Sequence, residues 1–146
     1  MKMFQSRFAL LVVALVCSLA VMAGDKKPVK QRIYMFGFAA SFTDSVACQT
    51  TVQQLDSAWL DEHKFLMDRA LYSLQLQYHM EHVQQVKNPV CTVFFGRSAK
   101  RVQRLWNKMQ RRYQKEEGLS YRILPEDGFK FVVEEWTDPY ETQQTQ

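Results

Sequence analysis

Eight basic side chains crowd one stretch of this chain: Arg97, Lys100, Arg101, Arg104, Lys108, Arg111, Arg112 and Lys115, with no acid between the first and the last. Arg101, Arg104, Lys108, Arg111 and Lys115 step by three or four residues. On a helix they share a face opposite Leu105, Trp106 and Met109. Such a face creates a local positive field suited to anionic lipid headgroups, acidic envelope polymers or an acidic protein partner. The plainer alternative is a solvated helix face. Nucleic acid would suit the charge, but the apolar leader described below argues against it.

Three other groups of residues could do chemistry. Cys48 and Cys91 lie in stretches that read as strands, 43 residues apart. In an oxidising compartment they are a candidate disulfide, worth on the order of 4 kcal/mol in the chain-entropy model. Bridging requires Cα atoms within about 7 Å, and two separate buried thiols are the competing reading. His63, His79 and His82 all fall in the first helical pattern, and His79 and His82 are three apart. A histidine pair without a zincin motif falls short of the three or four converging ligands that zinc needs, so no metal site is expected. Thr43-Asp44-Ser45 places a hydroxyl beside a carboxylate, but without a Gly-x-Ser-x-Gly elbow. A turn capped by Asp44 explains those residues. There is no glycine-rich phosphate loop or dinucleotide fingerprint, so no cofactor and no catalytic residue is assigned.

The elements that position these residues follow from pattern. Residues 32–42 (RIYMFGFAASF) are apolar on both alternating sets, which predicts a strand buried on both faces. Gly37 within it implies close packing or a bulge. Residues 46–55 alternate and complete a hairpin. Residues 58–86 lack Gly and Pro. They carry two apolar stripes, Met67/Ala70/Leu71/Leu74/Tyr78 and Phe65/Tyr72/Leu76/Met80, which predicts a long helix stopped by Asn88-Pro89. Residues 90–95 (VCTVFF) read as a central strand. Ser98 caps a second helix that Gly118 is placed to end. Residues 119–124 and 129–134 read as strands around the turn Pro125-Glu126-Asp127-Gly128. The order β-β-α-β-α-β-β predicts an α+β, two-layer sandwich: one mixed sheet of four to five strands with two helices on one face. A three-layer α/β arrangement is the alternative.

Composition bounds the rest. The chain has 146 residues, 47% apolar and 13% aromatic, with 19 basic and 15 acidic side chains. That fits one folded domain rather than a disordered or disulfide-dense chain. Lys2 and Arg7 precede the uncharged run 8–22 (FALLVVALVCSLAVM), and Val21-Met22-Ala23 ends in a small residue. This is the layout of a secretory signal peptide cut after Ala23. The run is short of the ~20 residues that cross a bilayer. Cys17 lacks the small preceding residue of a lipoprotein site. The expected organisation is a signal peptide at 1–23, a flexible lead-in at 24–31, a single domain at 32–136 and a polar tail at 137–146. Cleavage removes Lys2 and Arg7, so 17 basic residues face 15 acids, about +2. No later stretch is apolar enough to span a membrane.

The stretch Phe36-Gly37-Phe38-Ala39-Ala40-Ser41-Phe42-Thr43-Asp44-Ser45, followed by Leu55-Asp56-Ser57-Ala58-Trp59 and Tyr72-Ser73-Leu74-Gln75-Leu76, resembles small uncharacterised secreted proteins of Bacteroidetes bacteria. The resemblance runs from about Arg32 to Val133. It implies export to a bacterial periplasm or beyond and transfers no functional residue. The functional expectation is therefore an exported, non-enzymatic α+β module that binds an envelope component or a protein partner. The alternative is a small exported hydrolase with a site near the first turn and first helix, where His63 or His79 would meet Asp44, Ser45 or Cys48.

Overall fold

The computed structural model describes residues 26–136. The expected leader with its cleavage at Ala23, and the expected tail at 137–146, lie outside the described residues.

A single long strand, β1 (Val29–Ser41), organises the sheet. Its start corrects the expected lead-in: pairing begins at Val29, opposite Leu60. One edge of β1 pairs antiparallel with β4 (Val90–Gly96), from Tyr34↔Gly96 to Ala40↔Val90. The other edge pairs antiparallel with β2 (Val46–Thr50) and then β3 (Gln53–Leu60). β5 (Ser120–Leu124) lies parallel to β2. The result is one mixed, open sheet of five strands with two helices, an α+β fold.

The hairpin arm is longer than its alternation suggests because it is interrupted twice. Between Phe38↔Gln49 and Met35↔Gln53 the arm carries one residue more than β1. A second two-versus-one bulge places Asp56 and Ser57 opposite Arg32. Each extra residue resets which side chains point inward. Cys48, Gln53, Leu55, Ala58 and Leu60 therefore all face one side of the sheet, despite uneven spacing. The two- and three-residue steps from Leu55 to Leu60 imitate a helical period, and this corrects the expected long helix over 58–86. A turn follows β3, in which the Asp61 carboxylate accepts from the backbone N–H groups of His63 (2.8 Å) and Phe65 (2.9 Å). Helix α1 begins only at Arg69 and ends at His82 (Arg69–His82). It stops before Asn88-Pro89, where Gln85 already has a positive φ of 55°.

α1 and the second helix, α2 (Ala99–Tyr113), lie across opposite faces of the sheet. Tyr72, Leu76 and Met80 of α1 pack on the face of Ile33, Met35, Ala39, Cys48 and Val93. A Cβ on Gly37, on this same face, would come within 2.6 Å of Leu76 Cδ2. The other face carries Phe36, Phe38 and Gln49, and there Phe38 packs against Tyr113 of α2 with centroids 4.6 Å apart and the rings tilted by 37°. The expectation of both helices on one face is therefore corrected. The crossover through α1 moves from β3 over β1 to β4, and the crossover through α2 returns from β4 to β5. Crossovers of one hand that run in opposite directions must use opposite faces.

Two further corrections concern edges. β4 pairs with β1 alone, so it is an edge strand rather than a central one. Residues 129–134 form no strand. They cross the α1 side as an extended strap whose backbone is held by side chains. Gln53 Nε2 donates to the Phe129 carbonyl and Gln53 Oε1 accepts from Phe131 N–H, both at 2.8 Å. Gln75 holds Val132 in the same two-bond way, at 2.8 and 2.9 Å. Phe129 and Phe131 are thereby buried in the main core. Among the described residues no helix is long and apolar enough to cross a membrane.

Candidate functional site

α2 is the most polarised element of the described chain. Ser98 caps it, with Oγ accepting from Arg101 N–H, while no acid occupies its first turn and Arg111 and Arg112 close its last. Only Val102 is fully buried, over the close approach that Gly96 permits. Polar contacts complete the anchoring. Trp106 Nε1 donates to the Thr50 carbonyl at 2.6 Å. Gln49 Nε2 donates to the Trp106 carbonyl at 3.0 Å, and Tyr121 Oη donates to Gln49 Oε1 at 2.9 Å. Gln49 is completely buried, so these bonds offset a desolvation cost of about 1–3 kcal/mol. The sequence offered no signal for this network, because a glutamine in a strand has no pattern that marks it as an anchor. The helix itself ends at Tyr113. Gly118, with φ of 76°, belongs to the loop beyond it rather than to a helix cap.

The anchoring sends the cations outward. Arg97, Lys100, Arg101, Arg104, Lys108, Arg111, Arg112 and Lys115 are all exposed. Among the described residues the ion pairs are Lys30–Glu135, Arg32–Asp56, His63–Glu62 and Lys130–Glu126, and none involves these eight. Arg112 lies 5.7 Å over the ring of Tyr113. Arg97 and Arg101 border a cleft of about 460 Å³ whose apolar side is formed by Phe95, Val102 and Leu105.

The other sequence candidates are dispersed. Cys48 and Cys91 are free thiols, each directly opposite Ala39 on opposing flanks of β1. Two strand spacings separate their Cα atoms by about 10 Å, beyond bridging reach, which corrects the candidate disulfide. Burial pushes the Cys91 thiol up to about 12, with Glu81 and Cys48 adding to the rise. Burial also raises Cys48, against a smaller opposite effect of Arg122. Both are thus protonated, weak nucleophiles at neutral pH.

His63 lies in the turn after β3, not on a helix, and contacts Glu62. His79 packs against Phe129 and contacts Gln84, and burial pulls its pKa below the ordinary value. His82 stacks on Tyr78. Asp44 is used structurally: its Oδ2 accepts from Lys87 N–H at 2.8 Å. The structure thus joins none of the three histidines to Asp44, Ser45 or Cys48 by a hydrogen bond. No group of three or more potential metal ligands converges among the described residues.

Comparison with known protein families, curated proteins and solved structures finds no match to the chain.

Proposed function

We propose that this protein is an exported, non-enzymatic binding module that uses the basic face of α2 to dock on an anionic component of the bacterial envelope. The observation that carries this reading is the set of eight exposed cations, free of ion pairs among the described residues, on a helix with no acid of its own. Helix packing does not require such a face. The Val102, Trp106 and Tyr113 side, with the Gln49–Tyr121 network, holds α2 to the sheet, and no cationic side chain joins its hydrogen bonds. The cleft beside Arg97 and Arg101 adds an apolar wall next to charge, a combination that suits a headgroup carrying a hydrocarbon portion.

The test uses the mature chain and vesicles containing anionic lipid at low salt. A cation near such a surface contributes about 1 kcal/mol. Changing Arg101, Arg104, Lys108 and Arg111 to Gln should therefore weaken co-sedimentation by up to about 4 kcal/mol, and added salt should weaken the unmodified chain progressively. Equal vesicle binding by the fourfold variant and the unmodified chain would refute the docking role.

A further inference from the structure

Just beyond the C-terminal end of α2 the run of cations, which closes on Arg111, Arg112 and Lys115, gives way to Glu116 and Glu117. A cavity of about 340 Å³ opens where the end of the helix, the loop to β5 and the tip of the β1–β2 hairpin meet. Its floor leaves room because two small residues, Ala40 and Ala47, face each other across the hairpin. Phe38 and Tyr113, packed against each other with tilted rings, close one side. Phe42 stands at the hairpin tip and is 91% exposed, more than any other large apolar residue of the described chain. The charged residues lining the cavity are Glu116 and Glu117, and neither joins an ion pair among the described residues. The cations nearest in the chain are Arg112, which lies over the ring of Tyr113, and Lys115, which adjoins Glu116, and neither lines the cavity.

We propose that this cavity binds an organic cation, a methylated ammonium group seated between the open ring of Phe42 and the two carboxylates. Three observations converge on that chemistry. Aromatic faces attract ammonium groups through their quadrupole, and a methylated ammonium is weakly enough hydrated to leave water for them. Two unpaired carboxylates complement the positive charge from the rim. Phe42 gains no burial from the fold, and a ligand in the cavity would cover it. The inference does not depend on the docking role of α2, since none of the eight cations lines this cavity.

The experiment titrates isotope-labelled mature protein with choline, with its neutral isostere 3,3-dimethylbutanol and with the anionic 3,3-dimethylbutanoate, and follows amide shifts. Choline is expected to shift residues around Phe42, Ala47 and Glu117 and to bind at least fivefold more tightly than the alcohol, with no saturable binding of the acid. Phe42→Ala, and Glu116→Gln with Glu117→Gln, should each weaken choline binding severalfold while amide positions elsewhere stay fixed. These side chains are exposed, so the variants should keep the fold. Equal affinity for choline and the alcohol, shifts mapping elsewhere, or no choline binding by the unmodified protein would overturn the proposal.

Discussion

Gly37 shows how a single side-chain position fixes the spacing between two layers. A methyl group there would meet Leu76 Cδ2 at 2.6 Å and Phe131 Cζ at 3.0 Å, and both neighbours are buried. Neither can move without disturbing the core, so Gly37→Ala should destabilise the fold by about 1–3 kcal/mol in denaturant unfolding. The glycine's need for close packing was legible in a run of bulky residues, but its partners were not. Gln53 is the converse case, a buried polar residue with no sequence signal. It supplies both a donor and an acceptor to the strap. Gln53→Ala should cost about 2–4 kcal/mol, because two buried backbone groups lose their partner. The same change at the more exposed Gln75 should cost under about 1.5 kcal/mol. A measured order Gln75 above Gln53 would contradict this account of the strap.

At the scale of elements, α2 was readable because its apolar and basic residues each keep a helical period, and its cap at Ser98 stands where the pattern placed it. The start of α1 was hidden because the β3 bulge copies a helical step. α1 also keeps one of its two apolar stripes in the core and shows the other to solvent, with Leu74 53% and Tyr78 64% exposed. Periodicity alone gave no reason to prefer either stripe.

The packing of α2 and β4 also sets a pH dependence. Tyr121, which anchors α2 through Gln49, is raised to about 12, chiefly by burial and then by Cys48, and Cys91 is raised to about 12 as well. These groups are held neutral more firmly in the folded than in the unfolded chain. Their contribution to stability is complete below the unfolded values near 9–10 and is lost as pH rises toward 12. Thermal midpoints should therefore fall across that window. Tyr121→Phe combined with Cys91→Ala should flatten the fall, even from a lower starting stability. An unchanged slope in the double variant would show that other groups control the alkaline transition.

For the whole molecule, the sheet separates two kinds of surface. The strap and α1 seal one face around the main core. The other face carries α2, with cations along its length and a carboxylate-rimmed cavity at its end. Length, composition and local periodicity by themselves determined that one α+β unit forms, that a mixed sheet carries two helices and that one helix bears a row of cations. Those features depend on neighbours along the chain, where turn chemistry and period act directly. Tertiary structure alone decided that Cys48 and Cys91 stand on opposing flanks of β1, that the helices take opposite faces and that Phe42, Glu116 and Glu117 share a cavity. Each of these depends on the order of strands across the sheet. That order is set by which buried faces fit together after the chain has crossed back over itself, and no local pattern encodes it.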